Sequence, residues 1–333
     1  LKASQRGRVQ RLSITSEALA GNWLGDPHER AIPVYLPPGY DEGRGDYPVL
    51  YCLAGFTGTG ESHLAWKGWA ESLPERLDRL LAHDEIGPML VVLPDCWTRL
   101  GGSQYINSAT CGRYDDYLGE VIAAVDGSLR TKASARHRGV FGKSSGGFGA
   151  MVQSMLHPER WGAAACHSGD AFFEFCFWNE LPKTLNVVNR AGGVAPFLQG
   201  FARKRKRSNA EVHAMMLLAM AACFDPQPEH PDGFELPVDL LTGEVRPERW
   251  ARWLAWDPVR MIPNSIDVLA GLRALHIDCG DRDQYHLHYG ARQMRNALVR
   301  GGVGHTYEEF PDNHSSIGYR MDVSLPILWK AVR

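Results

Sequence analysis

Nearly continuous apolar runs recur along the chain, each handing over to a glycine-rich or polar loop. Tyr47–Leu53, Pro88–Pro94, Arg138–Phe141, Trp161–Ser168 and Ala274–Cys279 read in this way. A run without polar alternation is what a strand covered on both faces requires. Residues 8–19 and 31–36 instead alternate, predicting two early strands, the second closed by Pro37-Pro-Gly-Tyr40. Between the runs the spacing turns helical. Ser72–His83, Phe148–His157 and the stretch after Tyr285 to about Arg300 fit, as does Tyr114–Leu129 with Tyr117, Val121, Ala124 and Val125 on one side. A last strand, His305–Phe310, precedes a loop and a final helix running to Val332. Strand, helix, strand in repetition predicts an α/β fold: a mainly parallel central sheet with helices on both faces.

The rhythm breaks between about 171 and 258. This stretch opens on Phe172, Phe173, Phe175, Phe177 and Trp178, carries the basic run Arg203-Lys-Arg-Lys-Arg207, and contains Val212–Phe224, apolar almost all round. That last segment is too short to span a bilayer, so it predicts burial in a lid or at a subunit contact, which leaves room for a homo-oligomer. Neither end of the stretch has linker composition. The expectation is one domain, 1–333, with 171–258 inserted as a helical cap that covers a pocket and limits substrate size.

Composition narrows the field of partners. Of the 333 residues 44% are hydrophobic and 22% charged, ordinary for a globular protein with a full core. With a net charge of −2, neither nucleic acid nor an anionic membrane is expected as partner, and the basic run reads as a solvated helix flank. The seven cysteines stand singly, with no CxxC, and suit buried thiols in a reduced, cytoplasmic protein better than disulfides or zinc. No HExxH occurs and no Cys/His spacing suggests a metal, so neither metal nor cofactor is expected. Leu-Lys-Ala-Ser-Gln-Arg at the start shows no apolar signal core.

One segment concentrates candidate chemistry. Gly142-x-Ser144-x-Gly146 lies between an apolar strand and an apolar helix, the nucleophile-elbow pattern of α/β-hydrolases. The glycines two before and two after the serine remove Cβ atoms that would collide in so sharp a turn. Ser145 lacks this frame, because Lys143 stands two before it. A serine needs a base, and the base an orienting acid. The chain supplies both in the order of that fold, Ser144, then Asp281 or Asp283, then His314, each in a loop after a strand. Asp283 is favoured, lying three residues beyond Gly280 with room to turn toward the histidine, whereas Asp281 suits a cap on the turn. His286 and His288 are rival bases but fall in the first turn of the helix beside the acid. The loop Ala54-Gly-Phe-Thr-Gly-Thr-Gly-Glu61 has no Lys-Ser/Thr pair to complete a P-loop, and suits an oxyanion hole instead.

Taken together, Ile32–Tyr40, Leu53-Ala-Gly-Phe56, Gly102–Ser108, Gly142–Gly147, Gly280–Asp283 and His314 make the chain resemble the putative-esterase branch of the α/β-hydrolase superfamily. That branch includes esterase D (S-formylglutathione hydrolase), enterochelin-esterase-like proteins and antigen 85-type mycolyltransferases. The resemblance implies oxyanion-hole N–H groups at Phe56 and Ser145. It also implies a serine carboxylesterase acting on small carboxylic esters through an acyl-enzyme. A thioesterase or acyltransferase would use the same groups, and a non-catalytic binding protein could inherit the fold. The cap aromatics and the Trp97–Asn107 loop are expected to shape the acyl or alcohol pocket, with Gly55, Tyr105, Asn107, Phe172 and Phe173 as substrate contacts. The insert itself has no counterpart in esterase D or the mycolyltransferases, so the resemblance implies nothing about its substrate.

Overall fold

A computed structural model describes residues 6–333; the start of the chain, read above for a signal core, lies for residues 1–5 outside the described residues. Before the elbow the chain forms β1 (Arg8–Thr15), β2 (Glu29–Leu36), β3 (Val49–Leu53) and α1 (Leu73–Ala82). There follow β4 (Leu90–Val92), the small hairpins β5 (Trp97–Thr98) with β6 (Gly101–Gly102) and β7 (Asn107–Ser108) with β8 (Gly112–Arg113), then α2 (Tyr114–Ser128). The elbow unit is β9 (Arg138–Lys143), α3 (Ser145–Leu156) and β10 (Ala163–His167). The insert holds α4 (Phe173–Cys176), α5 (Leu181–Arg190), α6 (Val194–Arg203), α7 (Asn209–Phe224) and α8 (Pro247–Leu254), with α9 (Pro258–Met261) and α10 (Ile266–Ala270) leading out. The sheet resumes with β11 (Ala274–Gly280), α11 (Leu287–Arg300), β12 (Thr306–Phe310) and α12 (Met321–Val332).

Eight strands make the central sheet in the order β1-β2-β4-β3-β9-β10-β11-β12. β1 and β2 join antiparallel, as do β2 and β4; every later pairing is parallel. β3, β4 and β10 are buried at every residue, as unbroken apolar runs demand. The period of two sorts β3 between the faces. Tyr51 and Leu53 join the core that holds Phe148 and Trp161, while Leu50 and Cys52 pack with Phe141, Leu325 and Leu328 on the other side. Each fully buried large side chain contributes roughly 1.5–3 kcal/mol.

The helices start where the sequence offers caps. At α1, Ser72 and Glu75 form a reciprocal capping box with Pro74 inside the first turn. Ser208 and Glu211 repeat the device at α7. Met215 and every residue from Leu217 to Phe224 of α7 are buried, in the same core as Phe148. Its apolarity all round is thereby explained without a membrane or a second subunit. Among the described residues no helix is long and apolar enough to cross a membrane. The basic run lies exposed between α6 and α7, where Lys204 pairs with Glu211. Asp257, fully buried, accepts the N–H groups of Phe172 and Phe173 at 3.0 and 2.8 Å. The two ends of the insert are thus tied together beside the sheet.

Candidate active site

β9 ends at Lys143 and α3 begins at Ser145, so Ser144 alone makes the turn, with φ +58° and ψ −126°. Such a backbone is strained for a residue with a Cβ, and the surroundings must hold it. They do so through hydrogen bonds and close packing. The Ser144 N–H donates to the His167 carbonyl at 3.0 Å, and the Ser144 carbonyl accepts from Phe148 at 2.9 Å. A Cβ on Gly142 would stand 2.5 Å from the Gly146 backbone, and one on Gly146 would stand 2.0 Å from the Leu53 carbonyl oxygen. The two glycines are therefore fixed by the close approach of β3 and α3.

Asp283 and His314 come from the loops after β11 and β12 and meet in a buried hydrogen bond, Nδ1 to Oδ2 at 2.7 Å. The other oxygen of Asp283 accepts the Tyr285 N–H at 2.9 Å, so the carboxylate is held at both ends. A carboxylate on Nδ1 keeps the proton there and leaves the Nε2 lone pair free to act as a base. Asp281 points elsewhere: its N–H bonds the Phe310 carbonyl and its side chain pairs with Arg282 at the surface. His286 is the residue before α11, in the left-handed region at φ +62°, and His288 is buried within α11. Neither lines the cleft.

Ser144 and His314 line the same cleft, of about 730 Å³, together with Gly55, Phe56, Lys143 and a residue that the sequence did not single out, Asp170. The Ser144 hydroxyl has its nearest hydrogen-bond partner in Asp170 Oδ1 at 3.5 Å, while the Ser145 hydroxyl donates to Oδ2 at 2.9 Å. Burial pushes the Asp170 carboxyl up to about 6, against the pull of the Ser145 hydroxyl and of His314. Burial likewise lowers the Lys143 ammonium, opposed by Asp283 and Asp170. The available signal for Asp170 was its place in Ser168-Gly-Asp170 directly after β10, a strand end with no motif attached.

Phe56 follows β3 and is held from behind. Its carbonyl accepts the Gly102 N–H of β6 at 2.9 Å, and the Tyr105 hydroxyl bonds the Ala54 carbonyl. Neither the Phe56 nor the Ser145 N–H has a protein acceptor among the described residues, as an oxyanion site requires. Four expected substrate contacts lie off the cleft, and each has another task. Tyr105 is buried beneath the Phe56 loop, and Asn107 accepts the first-turn N–H groups of α2 from Asp115 and Asp116. Phe173 packs among Phe148, Phe177 and Phe224, while Phe172 stacks on Phe175 with ring centroids 4.4 Å apart. Gly55 does line the cleft. The insert reaches it through Phe177 and through Asn209, Val212, His213 and Met216 of α7. His213 links Glu180, at 3.3 Å, to the hydroxyl of Tyr285, at 3.1 Å, and the Tyr285 ring stands edge-on to His314.

Beneath the elbow, His167, His276 and Asp278 form a buried cluster. Its donors are already engaged: His167 Nε2 with Ser324, His276 Nδ1 with Thr306, and Asp278 with the Arg320 guanidinium at 2.9 Å. Burial opposes the charge on Asp278, yet the two histidines hold its carboxyl well below the usual range. These bonds tie His167 of β10 to His276 and Asp278 of β11. All seven cysteines are free and buried.

A profile of the Putative esterase family matches residues 27–323. The chain belongs to this family and is an ester-hydrolysing enzyme of α/β-hydrolase fold. Among solved structures it is similar to a ferulic acid esterase (18% identity, 98% of this chain and 99% of that one, TM-score 0.63). It is also similar to an S-formylglutathione hydrolase from Agrobacterium tumefaciens (18%, 98% and 96%, TM-score 0.61). A third is FphF, a fluorophosphonate-binding serine hydrolase of Staphylococcus aureus (15%, 98% and 99%, TM-score 0.60). At these identities the likeness speaks for the fold. No curated protein sequence matches the chain.

Proposed function

We propose that the chain is a serine carboxylesterase that works through an acyl-enzyme on Ser144, with His314 as base and Asp283 as its orienting acid. The observation that carries this reading is the buried 2.7 Å bond from His314 Nδ1 to Asp283, opening on the cleft that Ser144 also lines. Ser144 Oγ attacks the carbonyl carbon while His314 Nε2 takes its proton. The Phe56 and Ser145 N–H groups receive the oxyanion. Collapse of the tetrahedral adduct breaks the bond to the alcohol oxygen, which takes the proton from His314. Water, deprotonated by the same nitrogen, then releases the acid. The reaction requires the Ser144 hydroxyl to turn from Asp170 to His314.

Residues 1–333 act in this reading as one domain, with 171–258 as a cap that borders the cleft through α7. Burial of α7 in the main core supports this. The test is a screen of p-nitrophenyl esters, natural esters and thioesters. Ser144→Ala should lose labelling by a fluorophosphonate probe, and turnover should fall at least ~10⁴-fold. Full activity in that variant overturns the assignment. A marked preference for thioesters would move the reading to a thioesterase.

A further inference from the structure

A second cavity, of about 900 Å³, lies between the insert and the β5–β6 hairpin. Its walls include Trp97, Leu198, Phe201, Met215 and Phe234. It shares Phe56, Thr57 and Val212 with the catalytic cleft, so the two cavities meet at the proposed oxyanion residue. None of Ser144, Gln284, Tyr285 or His314 lines it. Its size falls within the roughly 300–1,000 Å³ of small-molecule sites; its polar lining includes the exposed Arg99, Gln199 and Arg207 and the half-buried Asp232.

The direction of the substrate follows from the chemistry of the cleft. His314 must deliver a proton to the leaving alcohol oxygen, so the alcohol occupies the side of His314, Gln284 and Tyr285. The carbonyl oxygen faces the Phe56 and Ser145 N–H groups. The remaining substituent on the carbonyl carbon is the acyl arm, and the apolar walls left to it include Phe177 and Met216 as well as Phe56, Thr57 and Val212, the three residues shared with the second cavity. We infer that the second cavity is the acyl subsite, and that it takes the long or bulky apolar arm of the acid, passing from the cleft between Val212 of α7 and the Phe56–Thr57 turn. This rests on the esterase reading and narrows its substrate class to esters of extended apolar acids.

Ala195 and Ala202 line the second cavity from the exposed face of α6, where a larger side chain can enter without displacing core. The experiment compares kcat/KM for p-nitrophenyl acetate, octanoate and dodecanoate in the wild type, Ala195→Trp and Ala202→Trp. Dodecanoic acid binding to the same proteins is followed by calorimetry. The wild type should prefer the longer esters, and at least one tryptophan variant should lower the dodecanoate-to-acetate ratio tenfold or more, the scale of lost apolar contacts in a pocket. The same variant should weaken dodecanoic acid binding by a similar factor. If the acetate is hydrolysed but the ratio and the binding are unmoved in both variants, the subsite is overturned while the esterase stands. If dodecanoic acid binds and is displaced by the tryptophans but no ester is hydrolysed, the catalytic reading fails and the apolar site remains.

Discussion

The strand-end loops and the insert solve different problems by different means. Ser144, Asp283 and His314 each sit at or just past the end of a sheet strand, held by bonds to neighbouring strand-end segments: the Ser144 N–H to the His167 carbonyl, the His314 N–H to the Gln284 side chain, and the Asp283 carboxylate to the Tyr285 N–H. The insert meets the cleft with Phe177, just past α4, and with α7, and their positions depend on Phe177 packing against Phe173 and Phe224 and on Phe224 packing against Phe148. The candidate chemistry is therefore placed by the ends of the sheet strands, and the outer wall of the cleft by packing between helices. A substitution at a strand end should abolish turnover and leave the fold, while one in the packed interior of the insert should cost stability and leave turnover.

The largest effect is expected at the acid. Asp283→Asn should lower kcat by about 10⁴, because the wrong tautomer of His314 is then favoured; Asp281→Asn should stay within about threefold. Steady-state kinetics on one ester decides, and a reversed ranking would reassign the acid. Next comes the seam of the insert. Asp257→Ala strands the buried N–H groups of Phe172 and Phe173, and urea midpoints should report a loss of roughly 2–4 kcal/mol. The folded fraction should keep its kcat within tenfold. If kcat collapses instead, the insert and the strand ends are not separable.

Asp170 tests the boundary between the two regions. Its folded-state carboxyl titrates near 6, above the ordinary value of about 3.9, so the native state holds that proton more tightly than the unfolded chain. The resulting stability is complete below about pH 4 and is lost as pH rises through about 6. Asp170→Asn carries no such dependence. Relative to wild type it should gain stability between pH 4 and 7.5, by up to roughly 3 kcal/mol, in paired denaturant titrations. An equal offset at both ends of that range would show that folding does not raise the Asp170 carboxyl. The smallest effect concerns Asn107, whose side chain serves α2. Asn107→Ala should cost about 1 kcal/mol and leave kcat/KM unchanged. A rise in KM would return it to the substrate site.

The same division decided what the sequence could disclose. Gly142 and Gly146 announced the elbow because no other residue fits against Leu53. Spacing after Gly280 favoured Asp283, since three residues of turn are what it takes to reach His314. Asp170 escaped because a lone aspartate after a strand carries no pattern, and its significance comes from burial. Tyr105, Asn107, Phe172 and Phe173 looked like substrate contacts because aromatic and amide groups in loops near strand ends often are. Which way such a side chain faces depends on partners, such as Phe224 or Asp115, that are remote in sequence.

The order of the strands carries a further consequence. Ser144, the proposed nucleophile, follows β9 in the interior of the sheet, whereas His314, the proposed base, follows β12, which pairs with β11 alone at the edge. Edge strands open in sub-global fluctuations well below the free energy of complete unfolding. Amide hydrogen exchange should then be slow around the Ser144 turn and faster by orders of magnitude along 306–310. Heat or denaturant would part His314 from Ser144 while most of the sheet still stands. The working range of the enzyme is in that case the range over which one peripheral strand stays docked.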